Sequence, residues 1–175
     1  TPDVARSVSL AFGGTIEQSQ EWLGRIGLEN IRVLRREGRA VANLARISKG
    51  QYFGGRSVPM VGIAGVAVPP ERRGGGLART LMTGLVRELH QEGVPLSALY
   101  ASTQALYRQV GYEQAGYRWA ARVPVARLSG LGKARQVIVL TPEDHPRVAE
   151  CYRRFAGCHN GPLDRGDYAW ARIKD

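Results

Sequence analysis

A run of three glycines separates an apolar segment from a helix-like segment in the middle of the chain. The run is Gly74-Gly75-Gly76, and it lies between Arg72-Arg73 and Leu77-Ala78-Arg79. Glycines allow the backbone to turn tightly and to approach a ligand closely, and the first N–H groups of a helix have no acceptor within that helix. Such a helix start binds anions, and the helix dipole alone contributes about 0.3 to 1 kcal/mol per charge. The segment therefore predicts a site for a diphosphate group.

Two other kinds of glycine-rich phosphate loop do not fit this spacing. A nucleoside-triphosphate loop requires Gly-x-x-x-x-Gly-Lys-Ser/Thr, and no lysine follows these glycines. A dinucleotide fingerprint requires Gly-x-Gly-x-x-Gly, and Arg79 occupies the position of the third glycine. A turn with a purely structural role stays as the alternative, although three consecutive glycines after two arginines exceed what a turn requires.

Helical patterns occur before and after the glycines. Residues 2–12 and 17–27 predict two helices near the start of the chain. The strongest pattern runs from Ala78 to Leu89, with apolar residues at i, i+3, i+4, i+7, i+8 and i+11. Gly93 is typical of the end of such a helix. The glycine run is therefore placed directly at a helix start.

Strand patterns lie on both sides of the long helix. Residues 31–35 and 40–47 predict an antiparallel hairpin with Glu37-Gly38 as its turn, and the polar, glycine-rich residues 49–58 predict a loop. Residues 61–68 are apolar on both alternating faces, which indicates a strand at the centre of a sheet.

Further strands are predicted over residues 96–101 and, from an alternating apolar pattern, over residues 112–125. Between them a short helix is predicted, with Ser102 or Thr103 as its N-cap and Gly111 at its end. The order of elements indicates an α/β fold with a mixed central β-sheet flanked by helices.

A linker-like composition over residues 127–136 divides the chain. After it, residues 137–141 predict a strand and Pro142-Glu143-Asp144 is typical of a helix opening. We therefore expect one domain over residues 1–126 and the start of a second α/β domain over residues 137–175. We also expect these 175 residues to be the amino-terminal portion of a longer protein.

The composition excludes several classes of partner. The net charge of +10 comes mainly from scattered arginines, with no long basic run and no basic helical stripe, so we expect no nucleic acid as a partner. No apolar segment approaches the roughly 18 residues that span a bilayer, so we expect no membrane partner. Cys151 and Cys158 predict two reduced thiols in a cytoplasmic protein, and no His/Cys spacing fits a metal site.

The glycine segment resembles the signature of a known superfamily. Residues 73–78 match Arg/Gln-x-x-Gly-x-Gly/Ala, the signature of the GCN5-related N-acetyltransferases (GNAT), in the strand and helix context that it requires. Residues 96–112, with a strand, a short helix that carries Tyr107 and the pair Gly111-Tyr112, resemble the second half of that fold. Both stretches resemble the Eis-like (enhanced intracellular survival) branch in detail, and the resemblance covers most of residues 1–125. It implies the GNAT fold for the first domain and a GNAT-like second domain.

The resemblance also implies acetyl-CoA as cosubstrate, bound without a metal. Backbone N–H groups of the central strand would contact its acetyl and pantetheine portion, those of the glycine turn its pyrophosphate, and two hydroxyl residues its far arm. In chain order these residues are Val66, Ala67 and Val68, then Arg73, Gly74, Gly75, Gly76, Leu77, Ala78 and Arg79, and then Ser102 and Thr103.

Tyr107 is the catalytic residue that the resemblance implies, as a general acid. A tyrosine with a pKa near 10 is protonated at neutral pH, and it can donate to a thiolate whose conjugate acid has a pKa of about 8.5 at a cost of roughly 2 kcal/mol. A packed aromatic ring beside Leu106 is the structural alternative for this residue.

The implied acceptor is a primary amine, of aminoglycoside, polyamine or lysine type, that attacks directly in a ternary complex. Residues 12–22 and 49–58 are expected to form its pocket, and a cationic acceptor is difficult to reconcile with the charge of +10. In the Eis-like branch the base is the terminal carboxylate of the full chain, and the branch assembles as hexamers, so we expect a homo-oligomer. A noncatalytic acyl-CoA-binding module is the alternative function.

Overall fold

A computed structural model describes residues 2–128 and 138–174 of the chain. Its helices are α1 (Pro2–Phe12), α2 (Ile16–Ile26), α3 (Leu77–Gln91), α4 (Gln104–Arg108), α5 (His145–Gly157) and α6 (Asp167–Lys174). Its strands are β1 (Ile31–Arg36), β2 (Arg39–Phe53), β3 (Arg56–Ala67), β4 (Leu96–Leu99) and β5 (Leu163–Asp164). The two predicted helices near the start of the chain and the long helix after the glycines are confirmed.

The sheet is mixed, as the sequence predicts. Its strand order is β1-β2-β3-β4, in which β1, β2 and β3 are antiparallel neighbours and β4 is parallel to β3. β5 pairs with Gly50 and Gln51 of β2. The first hairpin turns at Glu37-Gly38, where both residues have positive φ (51° and 76°), as a two-residue type I′ turn requires.

The prediction of a loop over residues 49–58 is wrong. β2 continues to Phe53 and β3 begins at Arg56, and their register is regular across this stretch. Gly54 and Gly55 form the turn with φ of 55° and 77°, so two glycines close the hairpin without steric cost. The polar, glycine-rich composition therefore belongs to the end of a long hairpin.

Helices cover both faces of the sheet. α3 packs Leu81 and Leu85 against Val61 and Ile63 of β3 in the larger buried core. On the opposite face, α1 and α2 form a smaller core in which Val4 is 2% exposed. β3 is therefore covered from both sides, as its apolar sequence predicts.

The predicted strand over residues 112–125 is not formed. Residues 112–124 have no regular secondary structure, and the side chains of Tyr117, Trp119 and Val125 are 76%, 86% and 81% exposed. An alternating pattern produces a strand only where a neighbouring strand supplies hydrogen bonds, and none of the described strands pairs with this segment. The alternating pattern alone does not show whether such a neighbouring strand exists.

The predicted strand over residues 137–141 is likewise absent from residues 138–141, while Val137 lies outside the described residues. No described strand is paired with these residues either, and the Val139 side chain is 93% exposed. The helix opening after them is confirmed. Thr141 and Asp144 form a capping box, and α5 begins at His145.

An ion-pair network fixes α3 to the sheet. Glu88 of α3 accepts a 2.6 Å hydrogen bond from Nη2 of Arg32 and also pairs with Arg46, which in turn pairs with Glu92. The Arg46 side chain is only 12% exposed, and its hydrogen bond to Glu92 raises the pKa of Arg46 above the usual value. The network joins β1, β2 and the last turn of α3.

We expect Glu88→Gln to lower the free energy of unfolding by about 1–3 kcal/mol, because it removes one charged partner of a largely buried guanidinium. Glu150→Gln is the matched control, since Glu150 pairs with Arg153 on an exposed surface and its loss should cost no more than about 0.5 kcal/mol. Urea unfolding of both variants measures the difference. Equal destabilisation by the two changes would contradict a structural role for the network.

Candidate active site

The strands β3 and β4 separate beside the middle of the sheet. Their parallel pairing runs from Met60↔Leu96 to Ile63↔Leu99 and stops there, while β3 continues to Ala67. The backbone of β3 beyond Ile63 therefore has no β4 partner. This opening leaves N–H and C=O groups of the strand edge available to a ligand.

A β-bulge at Gly65 changes the direction of β3 where it leaves β4. Asn43 pairs with Ala67 and Ala45 with Ala64, so one residue of β2 faces two residues of β3. Gly65 has φ of +58°, and the Asn43 side chain, 2% exposed, donates a 3.0 Å hydrogen bond to its carbonyl oxygen. Asn43 was not among the site residues predicted from sequence, although a polar residue inside the apolar run of β2 is a signal that could have identified it.

The glycine run forms an exposed turn that leads into α3. Gly74 and Gly76 have φ of +84° and +71°, and a Cβ at Gly74, Gly75 or Gly76 would meet nothing within 4 Å. The N–H of Thr80 is the first in α3 that donates to a backbone carbonyl, that of Gly76 at 3.0 Å. Within the described residues, the N–H groups of residues 77–79 have no backbone acceptor, so they are available to an anion.

Arginines surround the same turn. Arg72, Arg73 and Arg79 are exposed, and Nε of Arg73 donates a 3.2 Å hydrogen bond to the carbonyl of Val68. That bond ties the turn to the end of the central strand. The positive charges, the free N–H donors and the open space fit the diphosphate of acetyl-CoA.

Tyr107 lies on α4, with its side chain in the larger core at 7% exposure. Its ring meets that of Tyr112 edge to face, with centroids 6.3 Å apart. Burial raises the pKa of Tyr107 above the usual value, and a hydrogen bond with the Ser102 hydroxyl partly opposes the shift. The phenol is therefore a neutral proton donor at physiological pH.

The structure brings some of the predicted site residues together and separates others. Leu77 and Tyr107 belong to one buried core, against which Val66 and Val68 pack. Thr103 occupies the predicted N-cap of α4 without a side-chain capping bond. The remaining cofactor candidates lie at three places. Ala67 is buried at the end of β3, Arg73, Gly74, Gly75, Gly76, Ala78 and Arg79 lie at the start of α3, and Ser102 and Thr103 are exposed before α4.

A depression of about 600 Å³ lies beside β4, outside the glycine turn. Its lining includes Ser97, Tyr107 and Tyr112, and the Ser97 and Tyr112 hydroxyls are 2.7 Å apart. The structure thus places Tyr107 beside β4, while Leu77 of the glycine segment shares its buried core.

Aromatic side chains lie against the β3 bulge. A Cβ at Gly65 would lie 2.5 Å from the Trp22 ring, so this ring rests directly on the glycine. Trp22 Nε1 donates a 3.0 Å hydrogen bond to the Tyr168 hydroxyl of α6. Trp22 and Tyr168 are 146 positions apart, and no sequence pattern indicates their contact.

No cluster of metal-ligating side chains occurs in residues 2–128 or 138–174. The same ranges contain no helix that is long and apolar enough to cross a membrane. Cys151 and Cys158 are both free and exposed.

The splayed strands, the bulge and the glycine turn before α3 together define a GNAT fold, and the chain belongs to the acetyltransferase (GNAT) domain family, which residues 1–115 match. It is similar to N-acetyltransferase Eis from Mycobacterium tuberculosis and Mycobacterium bovis, with 30% identity over 124 residues. That match covers 66% of this chain and 31% of the relative, so the chain spans about a third of the length of the curated relatives it matches. The resemblance to the Eis-like branch is confirmed.

Solved structures agree with this assignment. A GCN5-related N-acetyltransferase from Anabaena variabilis is 31% identical with a TM-score of 0.83, and the match covers 98% of this chain and 44% of that one. A GCN5-related N-acetyltransferase from Kribbella flavida is 29% identical with a TM-score of 0.78, over 98% and 46% of the two chains. Eis1 from Mycobacterium abscessus, at 17% identity and a TM-score of 0.66 over 98% and 43%, shares the fold.

Proposed function

We propose that this chain is the acetyl-CoA-binding domain of an N-acetyltransferase that moves an acetyl group to a primary amine. The observation that carries the proposal is a strand edge without a β4 partner beyond Ile63, together with a helix start whose N–H groups at residues 77–79 have no backbone acceptor among the described residues. The edge of β3 supplies hydrogen-bond donors along a thioester, and the start of α3 supplies donors to a diphosphate.

Each part of the chain has a role in this proposal. The N–H groups at the start of α3, together with Arg73 and Arg79, bind the diphosphate of acetyl-CoA, which supplies the acetyl group. The backbone of Val66 and Val68 binds the acetyl and pantetheine portion, and one N–H donates to the thioester oxygen as negative charge develops there. Ser102 and Thr103, exposed before α4, contact the far arm.

Tyr107 acts as general acid in the proposed reaction. The amine attacks the thioester carbon directly, the carbon–sulfur bond breaks, and the phenol donates its proton to the departing sulfur. Burial supports this role because it raises the pKa of Tyr107 and keeps the proton on the phenol. No covalent enzyme intermediate is required, since Cys151 and Cys158 lie on the exposed surface of α5 or directly after it.

The amine must lose a proton before it attacks. An amine with a pKa near 10.4 is charged at pH 7, and freeing it costs about 4 to 5 kcal/mol without a base. We propose, from the resemblance, that the terminal carboxylate of a longer chain is this base. Aminoglycosides, polyamines and lysine side chains are the acceptor classes that follow from the same resemblance.

Three further properties belong to the proposal. We propose that residues 137–175 open a second GNAT-like domain after a linker at 127–136, and α5 supports this because only Ala156 of its side chains is buried. We propose a homo-oligomer, a hexamer if it follows the Eis-like branch, because large apolar side chains such as Trp119 are exposed. Two free exposed thiols support a cytoplasmic location.

Titration calorimetry with coenzyme A, followed by thiol release from acetyl-CoA in the presence of primary amines, tests the proposed function. We expect one coenzyme A per chain, with an affinity that falls as salt screens the arginines. We expect thiol release to depend on the amine. Absence of coenzyme A uptake would overturn the assignment, and uptake without amine-dependent release would leave a noncatalytic acyl-CoA-binding module.

A further inference from the structure

A lysine lies across the face of β3 that is opposite α3. A Cβ at Gly62 would be 2.4 Å from Cε and 2.7 Å from Nζ of Lys49, so the lysine stem occupies the space above this glycine. Lys49 pairs with Met60 in the β2–β3 register, and its side chain therefore leans along β3 toward the bulge. Gly62 is one residue before Ile63, where β3 and β4 separate. The ammonium group is thus held at the border of the proposed transfer site.

A second cation reaches the same face from α6. Arg172 is four residues after Tyr168, so both side chains project from one side of the helix. Tyr168 accepts the hydrogen bond of Trp22, whose ring covers Gly65. The pKa of Lys49 is lowered below the usual value, mainly by burial and to a smaller extent by the positive charge of Arg172.

Within residues 2–128 and 138–174, no carboxylate pairs with either of these two charges. Among the described residues, neither Lys49 nor Arg172 forms an ion pair. Asp164 pairs with Gly50, the residue after Lys49 in β2, and its Cβ lies against Gly50. Because successive residues of a strand point to opposite faces, Asp164 lies on the face opposite Lys49. Two neighbouring cations, one of them partly buried, without an anion are destabilised by mutual repulsion and desolvation. An anionic ligand group would remove that penalty.

We infer that Lys49 and Arg172 bind an anionic group of the acceptor, so that the substrate is a primary amine that also carries a carboxylate or a phosphate. The inference rests on the proposed function, and for the same site it replaces the polycationic acceptors that the resemblance implies with amines that carry an anionic group. It resolves the conflict between a cationic acceptor and a chain of charge +10, because the substrate binds through its negative end.

Matched pairs of amines test this inference in the full chain. We would measure kcat/KM by thiol release for 6-aminohexanoate against hexylamine, and for glucosamine 6-phosphate against glucosamine, with spermidine as the polycation. We expect at least one anionic member to exceed its parent about tenfold or more, and spermidine to be a poor substrate. The first pair reports a carboxylate and the second a phosphate.

Three variants connect the preference to the two cations. Lys49→Met and Arg172→Met should each bring the ratio of kcat/KM between the anionic amine and its parent amine close to one. Lys49→Glu should favour the parent amine. Arg172 is exposed, so its variant tests the inference even where changes at Lys49 impair folding. Arg36→Met, which removes the same charge from an exposed residue at the far end of β1, should leave the ratio unchanged.

Failure of the inference can be distinguished from failure of the proposed function. Calorimetric binding of 6-aminohexanoate and glucosamine 6-phosphate to the coenzyme A-loaded protein requires no turnover, and Lys49→Met and Arg172→Met should weaken it about tenfold. Normal coenzyme A uptake with no preference for the anionic amines, in rate or in binding, would overturn the inference alone. A preference that survives both variants would also overturn it. Loss of coenzyme A uptake by the unmodified chain would overturn the function itself.

Discussion

Replacement of Gly75 by glutamate is expected to weaken the binding of coenzyme A about a hundredfold or more without unfolding the protein. Gly75 is exposed, has no positive φ in the left-handed region, and a Cβ there meets nothing within 4 Å. The substitution therefore introduces no strain, and the free energy of unfolding should change by no more than about 0.5 kcal/mol. The new carboxylate lies where the diphosphate is proposed to bind, and like charges about 4 Å apart near a protein surface repel by about 4 kcal/mol.

Gly84→Glu is the matched control for that experiment. Gly84 lies on α3, also has open space around its Cβ position, and receives the same added charge. It is about 10 Å along the helix from Leu77, which exceeds the screening length of about 8 Å at physiological ionic strength. Calorimetry should find near-normal coenzyme A affinity for Gly84→Glu and a large loss for Gly75→Glu. Similar affinities for both variants would place the diphosphate elsewhere.

The contrast between Gly74 and Gly75 explains why the glycine turn could be recognised from sequence. Gly74 and Gly76 require glycine because of their positive φ, whereas nothing in the fold requires glycine at Gly75. A residue that the backbone does not need is a stronger indication of close ligand approach than the two strained positions. The glycine turn, the Glu37-Gly38 turn and the apolar spacing of α3 each depend on residues that are close in sequence. Such local features can therefore be predicted from sequence.

Elements whose identity depends on distant partners were not predictable in the same way. The composition of residues 49–58 predicts a loop because glycine and polar side chains occur in both loops and hairpin ends. Only the pairing of β2 with β3 and β5 distinguishes a hairpin end from a loop. Residues 112–125 have the alternation of a strand, but a strand also needs a neighbour, which the described residues do not supply. Composition and periodicity describe one segment at a time and carry no information about pairing.

The same limitation applies to the site. Asn43 supports the bulge at Gly65 across 22 residues of sequence, and Trp22 contacts Tyr168 across 146. Lys49 and Arg172 become a pair only when α6 lies near the face of β3. The proposed diphosphate site is formed by the contiguous residues 73–79 and was predicted from a motif. The acceptor side is assembled from four separate elements and required the structure.

We expect Tyr107→Phe to lower kcat for thiol release about a hundredfold, because it removes the proposed proton donor to sulfur. The phenyl ring keeps the edge-to-face contact with Tyr112, and only the hydrogen bond to Ser102 is lost, so folding and coenzyme A affinity should be retained. Tyr112→Phe is the matched control. It removes a hydroxyl from a neighbouring, partly buried ring, whose partner is Ser97 at 2.7 Å.

The pH dependence separates this role from simple packing. Because burial raises the pKa of Tyr107, the phenol keeps its proton up to at least the usual tyrosine value near 10, and kcat should not decline between pH 7 and about 10 through loss of this acid. In Tyr107→Phe the remaining rate should depend on the pKa of the thiol, so thioesters of more acidic thiols should recover most of the lost rate. They should gain much less in the unmodified enzyme and in Tyr112→Phe. Equal kcat for the two phenylalanine variants would assign proton donation to another group, because both remove a phenol from the same aromatic pair and only one of them is proposed to reach the sulfur.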